Sequence, residues 1–242
     1  MIAATAGLES FMTIFMAPSP MQPWAAALTV RAARYLALKL VGTTVVIGLF
    51  FVPYLHLLHH PSYPVLVMPL TALDRLIPFQ PQALFAYLSL WLYVGIGPGL
   101  QLSLLDLLVY AAWVGSACLA GLVIFYFWPT QVPPLDLDAS RFFGFAMLQK
   151  VDAAGNACPS MHVAIATFTV IRVGDVLRQV GAPKFMRVVN MLWFLAIALS
   201  TLAIKQHVVL DACAGAILGI VFAWASLRWS VRRVRLNPEI HA

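Results

Sequence analysis

Lys205 to Arg228 reads KQHVVLDACAGAILGIVFAWASLR: a polar start, an arginine at the far end, and between them an apolar run holding a single charge, Asp211. From Val208 to Leu227 it has the roughly 20 residues that a helix needs to cross a bilayer. Gly215 and Gly219, four apart, clear one face for close approach of a second helix, within the bundle or between protomers. His207 and Asp211 are also spaced i, i+4, so both project from one face at the start of this helix. The stretch therefore predicts a membrane helix with a histidine–carboxylate pair at its mouth.

The rest of the chain agrees with the first half of that reading. It is 62% hydrophobic and 10% charged with a mean hydropathy of +0.89, against about 45–50% apolar and about 25% charged residues in soluble domains. Runs of spanning length fall at Tyr35–Leu55, Gln82–Leu100, Ser103–Trp128, Pro159–Leu177, Met186–Ile204 and Val208–Leu227. Together they predict an all-α integral membrane protein, a six-transmembrane-helix bundle forming one domain over 1–242. Met1–Ala17 is apolar but short, with Leu8, Phe11, Met12, Phe15 and Met16 at helical spacing, and predicts an interfacial helix within an N-terminal segment 1–30. No Lys or Arg precedes Arg31 and Glu9 is acidic, so the basic start of a cleaved signal peptide is missing. The proline-broken stretch from His59 to Gln82 is expected to lie at the membrane surface or to dip in and return. Residues 129–158, with Pro133, Pro134, Asp136, Asp138, Arg141, Lys150 and Asp152, are expected to form an extracytoplasmic cap loop with a short helix near Phe142–Leu148.

Charge placement orients the six spans. With both termini inside, the inner segments hold Arg31, Arg34, Lys39, Arg172, Arg178, Lys184, Arg187, Arg228, Arg232, Arg233 and Arg235. Arg75, Arg141, Lys150 and Lys205 are left outside. That asymmetry is the one the positive-inside rule demands. It puts His162, Lys205, His207 and Asp211 at one membrane level on the outer face, and the net charge of +6 then reflects topology rather than nucleic-acid binding. The expected setting is an inner, cytoplasmic membrane of bacterial type, with the site facing the periplasm or exterior.

A carboxylate at Asp211 can accept Nδ1–H of His207, which leaves Nε2 bare as a base or nucleophile. The other histidine at this level stands in NACPSMHVAIA, Asn156–Ala166. Pro159 suits the first position of a helix, and the amides of Ser160, Met161 and His162 then form an anion site at its positive end. Ser160 adds a hydroxyl or simply caps the helix, and Lys205 adds a cation or simply snorkels. An anion cradle, a nucleophile, its orienter and a second histidine able to protonate a leaving group suit phosphoryl transfer through a phosphohistidine. Two rivals remain open on these residues: a transporter whose His–Asp pair relays protons, and a catalytically dead scaffold.

At these positions the sequence resembles the type 2 phosphatidic acid phosphatase superfamily. Its second motif, Pro-Ser-Gly-His, is matched by Pro159-Ser160-Met161-His162. Its third, Ser-Arg-x5-His-x3-Asp, is matched by Ser200-Thr201, His207 and Asp211 at the same spacing. The resemblance implies that His207 attacks phosphorus, Asp211 orients it, His162 protonates the leaving oxygen, and Ser160 with basic groups holds the phosphate. It also implies a six-helix bundle that needs no metal or other cofactor. Three departures stand out. Met161 replaces the glycine, so that its backbone must serve the phosphate. Thr201 replaces the phosphate-binding arginine, with Lys205 as candidate substitute. The first motif, Lys-x6-Arg-Pro, is absent, leaving Gln131, Arg141 and Lys150 as the polar groups nearby. Met161 in place of Gly, the Asn-x-x-Pro-Ser lead-in and PLTALDRLIPFQP (Pro69–Pro81) are similar to the inositol-phosphorylceramide synthase branch. The expected activity is hydrolysis of a lipid phosphate of phosphatidate or polyprenyl type, with transfer of a phospho-head group between lipids as the alternative. Lipid phosphate and membrane lipids are the expected partners, with a homo-oligomer possible and no nucleic acid.

Other polar residues are given plainer roles. His56, His59 and His60 lack the ligand set of a closed metal site, and a metal held by His162, His207 and Asp211 would be repelled by Lys205. Asp74 and Arg75 are expected to pair with each other, with a possible part in gating substrate. Asp106, Arg172 and Asp175 are read as interfacial or structural, Gly95–Gly99 as a helix end, and Arg228–Arg235 as an anchor to anionic lipid. Cys118, Cys158 and Cys213 are too scattered for a disulfide framework.

Overall fold

The computed structural model describes residues 22–134, 142, 145 and 156–236, the last seven by backbone alone. The expected interfacial helix at Met1–Ala17 and most of the cap loop, Arg141 and Lys150 included, lie outside the described residues. The described chain consists of helices and connecting loops apart from one short strand pairing. Helices α1 (Pro23–Ala33) and α2 (Leu36–His59) come first; β1 (Leu66–Val67) and the one-turn α3 (Ala72–Leu76) follow. A 3-10 turn at Pro81–Ala83 leads into α4 (Leu84–Leu88) and α5 (Leu90–Gly99), then α6 (Leu104–Phe127) and β2 (Thr130–Gln131). The second half is α7 (Met161–Gln179), α8 (Lys184–Ala203) and α9 (Val209–Leu236). β1 and β2 pair in parallel, Leu66 with Thr130 and Val67 with Gln131.

Among the described residues, four helices are long and apolar enough to cross a membrane: α2, α6, α8 and the Val209–Trp229 part of α9. Large apolar side chains cover their outer faces, among them Leu49, Val52, Leu119, Leu192 and Ile217, and so wide an apolar surface suits lipid rather than water. This is a membrane protein. The other two expected spans take different forms. Gln82–Leu100 is interrupted at Ser89, whose hydroxyl bonds the Ala86 carbonyl at 2.6 Å and accepts from Trp193 Nε1 at 2.9 Å. Pro159–Leu177 becomes α7, which is long enough but carries Arg172, Asp175 and Arg178.

Helix α7 is the axis of the bundle, touching α5, α6, α8 and α9. Where α9 crosses it, Gly215 lies against the Ser160 carbonyl and Gly219 against the Ala164 carbonyl and Thr167, with no room for a Cβ at either. The two-glycine face is therefore used inside the bundle. The α7–α8 turn closes at Gly181, in the left-handed region with φ 68°, where Ala182 N–H bonds the Leu177 carbonyl at 2.9 Å in the usual glycine stop. Asn190 of α8 joins three helices, donating to the Val170 carbonyl at 2.9 Å and accepting from Tyr93 at 2.8 Å. At the far end of α2, Lys39 is buried and donates to the carbonyls of Arg31 at 2.6 Å and Gly99 at 2.8 Å.

Several smaller expectations are settled by these contacts. Asp106 lies in the first turn of α6, where Ser103 is the cap: Ser103 Oγ accepts Asp106 N–H at 3.0 Å and donates to Asp106 Oδ2 at 2.6 Å. Asp175 pairs with Arg178 at 3.1 Å on the surface. Arg172, by contrast, is buried rather than interfacial. His56 and His60 are exposed and stacked at 5.1 Å, and His59 bonds the Leu55 carbonyl at 2.8 Å.

Candidate active site

The close crossing of α7 and α9 brings the two motifs of the sequence into contact. Ser160 is fully buried and caps α7, its Oγ accepting from Val163 N–H at 3.3 Å. Its own N–H donates to the Asp211 carbonyl at 2.9 Å, so one of the three expected anion-binding amides already has a protein partner. Pro159 precedes the cap rather than opening the helix. Met161 is buried in the apolar cluster with Tyr54 and Phe125, and its sulfur lies against Gly121 of α6. The side chain that replaces the motif glycine is accommodated by a glycine on a neighbouring helix.

His207 and Asp211 sit at the start of α9, both buried. His207 Nδ1 is 3.0 Å from Asp211 Oδ2, and Asp211 Oδ1 accepts Ala212 N–H at 3.0 Å. An ionised carboxylate only accepts, so Nδ1 carries the proton and Nε2 presents its lone pair. That lone pair faces His162 Nδ1 at 3.3 Å. On its other side His162 Nε2 is 2.6 Å from the hydroxyl of Tyr87, whose ring lies over the imidazole at 4.6 Å.

The remaining expected phosphate ligands are placed otherwise. Thr201 is buried, but its hydroxyl bonds the Ala198 carbonyl at 2.8 Å within α8. Lys205, in the left-handed region with φ 60°, turns its ammonium onto the carbonyls of Asp74, at 3.0 Å, and Ile77. Asp74 does not serve Arg75, which is exposed. One of its oxygens accepts from Thr71 N–H at 2.8 Å and Thr71 Oγ1 at 2.6 Å, and the other from Val209 N–H at 2.8 Å. One carboxylate thus caps α3 and the start of α9 together. Burial opposes its ionisation, but these bonds and the charge of Lys205 outweigh burial and hold its carboxyl below the ordinary 3.8. A backbone bond from Gln80 to the Ala203 carbonyl at 2.8 Å completes the seam between residues 71–80 and the loop that leads into α9. Cys158, beside the site, has its thiol pushed up to about 11 by burial and then by Asp211.

His162 and His207 close one end of a cavity of about 720 Å³ between α2, α4–α5, α6 and α7. Its walls are apolar, with Phe50, Phe51, Trp91 and Val94 among them, and it extends along α2 from Tyr54 to Lys39, about 22 Å at the helical rise. Among the described residues no three His, Cys, Asp or Glu side chains are grouped to hold a metal ion.

Two residues of this arrangement lie outside the two histidine motifs. Asp74 stands in the Pro69–Pro81 segment, where the sequence predicts a pairing with Arg75, and its capping role follows the Thr71-x-x-Asp74 spacing; Tyr87 is one aromatic among many in an apolar run.

Residues 126–235, which contain both histidines and Asp211, match the model of the PAP2 superfamily. That region of the chain is similar to the superfamily. The match suggests a phosphatase or phosphotransferase activity. No curated protein and no solved structure matches the chain. The PAP2 region stops short of α2–α5, so Asp74, Tyr87 and most of the cavity wall belong to the part of the chain that precedes it.

Proposed function

We propose that this protein is a membrane lipid phosphatase of the PAP2 superfamily that hydrolyses a phosphatidate- or polyprenyl-phosphate-type lipid through a phosphohistidine on His207. One observation carries the reading: two imidazoles face each other nitrogen to nitrogen at 3.3 Å, one backed by a buried carboxylate, at the closed end of an apolar cavity. Nε2 of His207 forms the N–P bond as the P–O bond to the lipid breaks, and the leaving oxygen takes a proton from His162. Asp211 stabilises the charge that grows on His207. Water then attacks phosphorus, gives its proton to His162, and frees phosphate and His207. The apolar cavity accommodates the lipid tail. The amides of Met161 and His162 at the start of α7 are the best placed phosphate donors, whereas Ser160, Thr201 and Lys205 act through the scaffold. Arg141 and Lys150 complete the set of candidate cations. The bundle crosses a bacterial-type inner membrane six times with both termini inside, and the site opens outward.

The test is release of phosphate by the purified protein from a panel of lipid phosphates, with and without ceramide, diacylglycerol or inositol as acceptor. Free phosphate that depends on His207 supports the phosphatase. A new phospholipid without free phosphate would move the assignment to a transferase of the inositol-phosphorylceramide type, and no turnover of either kind would overturn both. Addition of a chelator is expected to leave the rate unchanged; loss of activity restored by a divalent cation would overturn the metal-free chemistry.

A further inference from the structure

Tyr87 precedes the matched region, yet its oxygen makes the shortest contact of the histidine cluster, 2.6 Å to His162 Nε2. The direction of each bond in that cluster follows from the one before it. Asp211 accepts, so His207 donates from Nδ1 and its Nε2 is bare. His162 Nδ1 faces that bare nitrogen at 3.3 Å and must donate to it. A neutral imidazole has one proton, so His162 Nε2 is also bare and Tyr87 must donate. Tyr87, His162, His207 and Asp211 form one chain of bonds with a single allowed proton order when both rings are neutral.

We propose that Tyr87 is the positioning residue of His162, bonded to Nε2 throughout so that the proton given to the leaving oxygen and the proton taken from the attacking water both pass through Nδ1, the nitrogen that faces His207. This rests on the reaction proposed above. A phenol both donates and accepts. In the resting chain it donates to bare Nε2. When an anionic phosphate enters between the rings, His162 takes up one proton from water at Nε2, since Nδ1 already holds one, and Tyr87 turns to accept from Nε2–H. The Nδ1 proton then passes to the leaving oxygen as the P–O bond breaks, and the ring is left neutral with Nδ1 bare. That same nitrogen takes the proton of the attacking water, returning the ring to its charged form; as the phosphate leaves, Nε2 returns its proton to water and Tyr87 donates to it again. Every proton is thus accounted for without Tyr87 losing its own. Packing supports the assignment. Tyr87 is 3% exposed, its ring stacks on the imidazole, and α4 is held against α8. Among the described residues, the titratable groups set against His162 are Tyr87 from α4 and His207 before α9, with Asp211 behind His207.

The experiment is Tyr87→Phe in the full-length protein, which keeps the ring and removes the hydroxyl, assayed with a lipid phosphate that the wild type turns over. A fall in kcat of about 10- to 100-fold, within the range that acid–base help supplies, with KM little changed, is expected. The alkaline limb of the kcat profile should move to lower pH, because the charged ring loses an acceptor. The decisive arm is a double-mutant cycle with His162→Ala: Tyr87→Phe should cost nothing further in that background, since Tyr87 acts only through His162. Independent, multiplying losses, or an unshifted limb, would overturn the proposal. Absence of His207-dependent turnover in the wild type would instead overturn the reaction on which it rests.

Discussion

Helices α2 and α7 have similar lengths and opposite surroundings. Three of the 24 residues of α2 are buried, against twelve of the 19 in α7, and those twelve include Thr167, Thr169 and Arg172. The helix that looks most like a membrane span lies at the periphery, and the one at the centre does not qualify by composition. The physical reason is that lipid tails are as apolar as leucine, so burial against other helices gains nothing from extra hydrophobicity. Interior helices are selected for small residues and satisfied polar groups. Sensitivity to substitution should therefore follow the α7–α9 contact rather than the apolar faces.

The sharpest contrast is chemical. His207→Ala should reduce turnover by at least about 10⁴-fold, and Asp211→Asn by about 10²- to 10⁴-fold, both with the unfolding temperature in detergent little altered. Near-full activity in His207→Ala would remove the site altogether. Next comes packing. Gly215→Ala sets a methyl against the Ser160 carbonyl and should cost about 1–3 kcal/mol, the usual penalty of overpacking, measured by thermal unfolding. Leu49→Ala, on the exposed flank of α2, should stay within about 0.5 kcal/mol; equal losses at the two positions would break the comparison.

A smaller effect tests the seam that holds α9. The Asp74 carboxyl is held below its ordinary value, so its contribution to stability is complete above its unfolded pKa of about 3.9. That contribution disappears as pH falls through the lower, folded value. Unfolding temperatures measured from pH 7 to pH 3 should drop at the acid end in the wild type and less steeply in Asp74→Asn. Parallel curves would detach Asp74 from the start of α9.

Much of this was legible in the residues. The six apolar runs mark six helical stretches, and the spacing of His207 and Asp211 places one bond of the site directly. Local spacing, however, cannot report the partners of a side chain. Lys205 and Thr201 stand where a phosphate ligand is expected, but the left-handed backbone at Lys205 aims its ammonium at two carbonyls, and the Thr201 hydroxyl serves its own helix. Ser160 is a cap, as its position allowed. Asp74 reaches Val209 across 135 positions, and Tyr87 reaches His162 across 75. Such contacts depend on how α3 and α4 fold back over the bundle, which a period of 3.6 does not encode. The helix-by-helix pattern also overstated the regularity of Gln82–Leu100, because a single serine hydroxyl can interrupt an apolar run.

The cavity has one further consequence. Leu38, Trp91 and Leu108 line it and are also exposed on the flank of the bundle, at 47%, 45% and 58%. The lipid proposed as substrate would reach it sideways from the surrounding amphiphile film rather than from the aqueous phase. The relevant abundance is then the substrate's mole fraction in that film. Adding inert detergent at constant substrate and enzyme should slow the reaction, although nothing in the water has changed.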